Sequence, residues 1–417
     1  MEKLTFTIDG YSFSTAFNTA AKREQCAEKI LSTTGRHYSW YKENTGNKNL
    51  ILYDTEQYEV RNFDDIKYLV LNNRLMDVKT FLCVRRDFKG KLHLPINAST
   101  CSFMFVDINV SEIDLTEFDT TNIVDMDYMF LEADLGDCFS LGSPTNAQAN
   151  TPDRNILTLN TEGVTSMSGM FKDCKVKHLD LNSLRTHNVT DFSDMFCSCN
   201  DLIDLNVDGF DTSNAEDFHG MFQGCIKLTQ LNVKHFNVDN VLHMSCLFSK
   251  CLRLKVIDLE SWNFSQISDA NEMFAYCEKL EKIIANFNFK MIKEMAFMFC
   301  YCTKLSKVDL SHSDLSHVFD FGYTFFKCEG LKDIRFSQGV WLKAKFTLSM
   351  FDDCKALERL NLPDVILDDV IRSYAMFDDC DNLKEIYMEH PLNLDKYEYE
   401  LIFGNCKAEV KKSTEWQ

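Results

Sequence analysis

The chain has 417 residues, 45% of them hydrophobic, which is enough to bury an extensive core and excludes a disordered, collagen-like or small disulfide-stapled protein. Its formal charge is −19, from 44 Lys and Arg against 63 Asp and Glu, and this argues against nucleic acid as a partner. Two counts need a structural cause: 34 Phe, and 17 Cys beside only 5 Pro.

Residues 1–95 open MEKLTFTIDGYSF, without the charged start and apolar run of a secretory signal. No stretch of the chain reaches the roughly 18 consecutive apolar residues of a membrane-spanning helix, so no membrane insertion is expected. The expectation is a cytoplasmic or otherwise non-exported chain with reduced thiols. This segment holds 15 Lys and Arg against 12 Asp and Glu, a charge of +3, so the remainder carries −22. Its patterns predict strands at Leu4–Ile8, near Leu50–Tyr53 and near Thr80–Val84, and an amphipathic helix near Ala20–Leu31. Together these make residues 1–95 a small α+β domain or cap. Cys26, His37 and Cys83 are its candidates for chemistry, and Arg85, Arg86, Lys89 and Lys91 form a basic cluster. No GxxxxGK[ST], GxSxG, HExxH or GxGxxG motif accompanies them, so neither an enzyme nor a cofactor is predicted.

From residue 96 to residue 406 the sequence repeats. A ladder Phe, usually within Met-Phe, falls at 105, 130, 171, 196, 222, 248, 274, 299, 325, 351, 377 and 403, and from Phe171 onward a Cys follows three residues later. Each ladder Phe is 25 or 26 residues from the next, except for a step of 41 between Phe130 and Phe171. The extra residues fall within 131–158, which holds Pro144 and Pro152 and is rich in small polar residues; the expectation is an inserted surface loop. After each Cys, apolar residues recur at the third, sixth and eighth positions, as in Leu254, Ile257 and Leu259. The last two, spaced by two, predict a short strand with both side chains inward. The 3–4 spacing that leads into each Phe predicts a helical or 3₁₀ turn. Polar corners such as Asp119–Asn122 and Asp211–Asn214 suit turn backbone better than Ca²⁺.

One such coil cannot bury its apolar positions, whereas a stack of coils can, so the repeat predicts a solenoid of about twelve coils. The in-register Cys are small, soft side chains suited to its narrow interior. Two pairs, Cys197/Cys199 and Cys300/Cys302, are the best metal candidates, each with one member expected inward and one outward. They lie four coils apart, too far to share one Zn²⁺, and no metal site is predicted. The outward strand residues are Asp114, Asp180, Asn206, Asn232, Asp258, Ile284, Asp309, Arg335, Asn361 and Tyr387. They line the strand side, expected to be concave, and are the candidate binding surface, with Arg335 and Tyr387 as natural anchors.

The coil LNVDGFDTSNAEDFHGMF, residues 205–222, followed by QGCIKLTQLNV, resembles the BspA-like leucine-rich repeat, whose consensus is FDTSNVTDMxxMFxxCxxLxxLxL. The resemblance covers about residues 100–406 and weakens at both ends, where Ile108 replaces the first Cys and Lys407–Val410 lacks the leucine triplet. It implies an α/β solenoid: a right-handed leucine-rich-repeat superhelix with a short parallel strand per coil, used for recognition. Residues 407–417 form a C-terminal tail. The expected function is non-enzymatic recognition or scaffolding, with a protein partner on the concave strand face and no nucleic acid on the solenoid. Two alternatives remain. In one, residues 1–95 carry a toxin- or nuclease-like activity read out by the solenoid. In the other, a longer chain with a signal peptide is a cell-surface adhesin, as many relatives are.

Overall fold

Backbone pairing between successive coils organises the computed structural model. The structure describes residues 99–142 and 155–337 with few gaps, 345–362, 373–388 and 396–416, together with the backbone of short strands elsewhere. The chain divides into two compact units, Met1–Val189 and Thr190–Gln417.

In the first unit, strands β1 (Glu2–Ile8), β2 (Tyr11–Phe17), β3 (Tyr38–Lys42) and β4 (Ile51–Asp54) form an antiparallel sheet in the order β3-β1-β2-β4. A hairpin of β5 (Tyr68–Leu71) and β6 (Arg74–Asp77) follows. The predicted helix near Ala20–Leu31 and strand near Thr80–Val84 lie outside the described residues. Parallel pairing of the coil type begins where β7 (Gly90–Lys91) meets β8 (Ile113–Asp114), ahead of residue 96.

Within 131–158 both flanks are strand, and residues 143–154, where Pro144 and Pro152 fall, lie outside the described residues. Asp134–Gly142 forms strand β9 and Asn155–Thr158 forms β10, and β10 pairs with β9 in parallel. On its other side β9 pairs with β11 (Lys175–Asp180). Leu135, Phe139 and Leu141 of β9 are buried, which is what draws this segment into the sheet.

In the second unit, short strands recur at the coil period: β12 (Asp204–Asn206), β13 (Val256–Leu259), β14 (Lys282–Ala285), β15 (Lys307–Leu310) and β16 (Asp333–Phe336). Then come β17 (Val340–Trp341), β18 (Arg359–Asn361), β19 (Asp364–Val365), β20 (Glu385–Met388) and β21 (Glu409–Lys412). Pairing is parallel and one coil in register: Val256 with Lys282, Lys307 with Asp333, Arg359 with Glu385. Ile257 and Leu259, like Val308 and Leu310, are buried while their neighbours face outward, as the period-two reading requires.

The other side of the coil departs from the helical turn that the 3–4 spacing suggests. In the coil Phe218–Cys225, Met221 N–H donates to Phe218 O and Cys225 N–H to Phe222 O, closing two successive β-turns. Their third residues, Gly220 and Gly224, have φ of +58° and +74°, as a type II turn needs. The remaining donors point to the next coil: Phe218, Gly220, Phe222 and Gly224 N–H reach the carbonyls of His243, Ser245, Leu247 and Ser249 at 2.7–3.0 Å. Positive φ recurs two residues before and two after the ladder Phe in the coils of Phe196 to Phe377. A helix would have satisfied those N–H groups internally; here every second one bonds to the next coil.

The ladder Phe rings follow this backbone. From Phe196 to Phe403 successive centroids lie 5.1–5.7 Å apart with nearly parallel planes. In the first unit Phe105, Phe130 and Phe171 stack in the same way. The ladder Cys has a bonding role beyond packing. From Cys225 to Cys380 each ladder thiol donates to the carbonyl of the ladder Phe one coil earlier, as Cys251 does to Phe222 and Cys277 to Phe248, at 3.0–3.3 Å. That carbonyl therefore accepts both its own coil's Cys N–H and the next coil's S–H. Burial pushes the Cys251 thiol up to about 12, which keeps it protonated and able to donate.

Three substitutions at two positions separate these terms. Phe274→Ala is expected to cost about 3–5 kcal/mol in urea unfolding through a buried cavity. Cys277→Ala is expected to cost about 2 kcal/mol, with Cys277→Ser closer to wild type because its hydroxyl still reaches Phe248 O. Serine as costly as alanine would contradict the S–H···O bond.

Candidate functional site

The outward strand row mostly closes its own strands. Asp180, Asn206, Asp258 and Asp309 each accept from the backbone N–H two residues on, at 3.1–3.2 Å. An Asp or Asn side chain is the short acceptor that such a turn requires. Asn232 instead donates to Asp208, and Lys234 bridges Asp258 and Glu260 at 3.0 and 2.9 Å. Bonds from the Glu260 N–H and from Lys234 hold the Asp258 carboxyl below its ordinary range. Asn361 ends β18, in register with Tyr387. Asp114 lies in β8.

Ile284 and Arg335 break the rule, since neither can accept an N–H. Ile284 is half-buried in β14, opposite Asp258. The Arg335 side chain is 58% exposed, with Asp333 at 3.5 Å and Asp309 at 4.0 Å. Tyr387 is not the exposed anchor that alternation suggests; it is 3% exposed. Trp416 packs edge-on against its ring at 5.0 Å, and its hydroxyl donates to Glu385 while accepting from Arg359. Hydrogen bonds from Lys411 and Tyr387 pull the Glu385 carboxyl down to about 2. Tyr387 thus belongs to the closure of the C-terminal coil.

The cysteine pairs also change. Cys197 and Cys300, expected to face outward, are 5% and 1% exposed. Burial pushes the Cys300 thiol up to about 12. The described cysteines are unbridged, and among the described residues no three His, Cys, Asp or Glu side chains converge as metal ligands. Cys26, His37, Cys83, Arg85, Arg86 and Lys89 lie outside the described residues. The corner carboxylates do cap turns: Asp119 accepts from Thr121 N–H and Asp211 from Ser213 N–H.

A second surface, on the turn side, escaped the sequence reading. The left-handed positions flanking the ladder Phe hold Gly220 and Gly224 in one coil, but Tyr276, Phe297, Tyr301 and Tyr323 in later ones. Tyr276 stacks on Tyr301 at 4.9 Å and Phe297 on Tyr323 at 4.7 Å. Phe326 stands edge-on to Tyr301 and Tyr323 and joins the two stacks. All five rings are half-exposed. A left-handed backbone costs a residue with a Cβ about 1–2 kcal/mol relative to glycine, so bulky aromatics there are not what the turn itself prefers. Reading the residues two before and two after each ladder Phe would have revealed them.

Beside the rings, Lys327 lies over Tyr301 and Phe326 at 5.2 and 5.6 Å from the centroids, and 4.0 Å from Asp353. Asp352 and Asp353 occupy the next coil, and Asp378 and Asp379 the one after. Burial, followed by the charges of Asp378, Asp353 and Asp379, pushes the Asp352 carboxyl up to about 6. The folded state therefore holds this proton more tightly than the unfolded chain does. Ionisation of Asp352 reduces stability as pH rises from its ordinary value of 3.8 through about 6. Asp352→Asn is accordingly expected to raise the melting temperature at about pH 7.5 by more than at about pH 4. An equal shift at both values would contradict the electrostatic account.

The chain matches the family described as Mycoplasma protein of unknown function, DUF285, in overlapping segments that span 97–137 and 146–390. No curated protein matches it in sequence. Among solved structures it is similar to a leucine-rich repeat protein from Eubacterium ventriosum ATCC 27560, at 11% identity over 94% of this chain and 98% of that one, TM-score 0.39. It is also similar to a leucine rich cell surface protein from Faecalibacterium prausnitzii A2-165, at 11% identity over 98% and 94%, TM-score 0.25. The expectation of a non-exported chain is corrected here, because a cell surface protein stands among the structures it is similar to. Among the described residues no helix is long and apolar enough to cross a membrane. With matched segments running through most of the coils, the chain belongs to the family described as Mycoplasma protein of unknown function, DUF285.

Proposed function

We propose that this chain is a non-enzymatic recognition protein that holds a protein partner on the outward strand face of the unit Thr190–Gln417. The observation that carries this reading is the break in the capping row. Asn206, Asp258 and Asp309 serve their own strands, whereas Ile284 and Arg335 occupy the same position without capping it, Arg335 instead lying 3.5 Å from Asp333 and 4.0 Å from Asp309. A half-buried aliphatic and an exposed guanidinium two coils apart, with Asp309 on the coil between them, supply what a contact centre needs, and Asn232, Asp258 and Asn361 supply a polar rim. A parallel stack presents these positions at about 4.8 Å per coil, as a row along the strand face. Residues 1–95 act as the cap of the stack in this reading, whose repeat resembles the BspA-like form.

The test is an affinity capture from the source cells with wild type and with Ile284→Asp/Arg335→Glu, each recovered protein being identified by mass spectrometry. Both changes fall outside the core, so the melting temperature is expected to stay within about 2 °C of wild type. The double variant is expected to lose a protein that wild type retains. Recovery of the same proteins by both would remove the site from the strand face.

A further inference from the structure

The aromatic cluster on the turn side is not required by the repeat. Coils before it fill the same left-handed positions with Asp194 and Ser198 or with Gly220 and Gly224, and coils after it with Ser349 and Asp353 or Ala375 and Asp379. The backbone bonds to the next coil are made in all of them, so they do not depend on the side chain. Tyr276, Phe297, Tyr301 and Tyr323 therefore impose a backbone cost without serving the ladder, and with Phe326 they leave five half-exposed rings in contact with one another.

The surroundings say what such a surface takes. Next to the rings, in the two following coils, lie Asp352, Asp353, Asp378 and Asp379, four carboxylates close enough for Asp352 to feel the other three. Two lysines from within the chain meet these four carboxylates, Lys355 at 2.6 Å and Lys327 at 4.0 Å from Asp353, and Asn405 donates to Asp378 and Asp379. The Lys327 ammonium already lies over two of the rings and within reach of Asp353, showing how one cation can engage ring and carboxylate together. The complement to rings beside unbalanced carboxylates is a side chain that is flat, cationic and able to stack, which is arginine.

We propose that the Tyr276–Phe326 aromatic surface and the adjoining aspartates form a docking site for an arginine-rich peptide segment of a protein partner. Guanidinium groups lie against the exposed parts of the rings, and their charge is met by Asp352, Asp353, Asp378 and Asp379. This surface is on the turn side of the coil rather than the strand face, so it stands or falls independently of the Ile284–Arg335 reading.

The probes are oligo-arginine and oligo-lysine peptides of equal length, titrated by fluorescence polarisation into the full chain. The variants are Tyr301→Gly/Tyr323→Gly, which keep the net charge and suit the left-handed backbone, and Asp352→Asn/Asp378→Asn. Wild type is expected to bind oligo-arginine at least tenfold more tightly than oligo-lysine, a gap of about 1.4 kcal/mol. Each double variant is expected to lose at least tenfold in affinity for oligo-arginine, and the glycine variant to melt no lower than a few degrees below wild type. Equal binding of the two peptides, or unchanged binding in the glycine variant, would reduce the effect to unspecific attraction by a −19 chain and overturn the proposal. So would a collapse in melting temperature like that expected of Phe274→Ala, which would make the rings core. A wild-type dimer that the glycine variant cannot form would assign the surface to a second copy and overturn it equally.

Discussion

The constraint on which the rest depends is the fate of the backbone N–H groups around the ladder Phe. In the coil Phe218–Cys225 they alternate, one donating within the coil and the next to the following coil. Alternation requires a reversal of hand at Gly220 and Gly224, and the same positions have positive φ from coil to coil. The turn side is thereby hydrogen-bonded from one coil to the next, while the strand side pairs in separate sets such as β13 with β14 and β15 with β16. The Phe rings stack because the backbone fixes their spacing, and the Cys thiol fits because a ladder Phe carbonyl retains one lone pair that a small buried donor can reach.

Surface chemistry is decided by what this scheme leaves undetermined. Strand ends need a short acceptor, which Asp and Asn provide, so acidity on that face is partly structural rather than an invitation to a basic partner. Much of the remaining charge is internally paired, as between Lys234 and Asp258 or Lys307 and Asp333, in exposed pairs that contribute little to stability. Positions that break the scheme carry the information: Ile284 and Arg335 on the strands, and the aromatic residues at left-handed turn positions.

Much of this was legible in the residues. The register of Phe and Cys, the inward pairs such as Ile257 and Leu259, and the turn-capping role of Asp119 and Asp211 follow from spacing and side-chain chemistry alone. The turn side was misread because consecutive β-turns and a helix share apolar spacings of three and four; only the destination of the N–H groups tells them apart. The start of the 131–158 insertion is strand because Leu135, Phe139 and Leu141 have strand spacing, which its Pro residues at 144 and 152 do not interrupt. Alternation placed Tyr387 outward correctly for its strand, but could not show that Trp416, far along the chain, would cover it. Cys197 and Cys300 follow turn geometry rather than strand alternation, so the inside–outside rule did not apply to them. The aromatic surface needed two separate columns to be seen as neighbours, which requires the coil geometry itself.

Amide hydrogen exchange tests the central claim most directly. If the turn side is a second intercoil ladder, the amides of Gly220, Phe222 and Gly224 exchange with protection within about tenfold of those of Ile257 and Leu259 in β13. Exchange of these turn amides as fast as that of the exposed corner residue Asn240, with the strand amides still protected, would contradict the account.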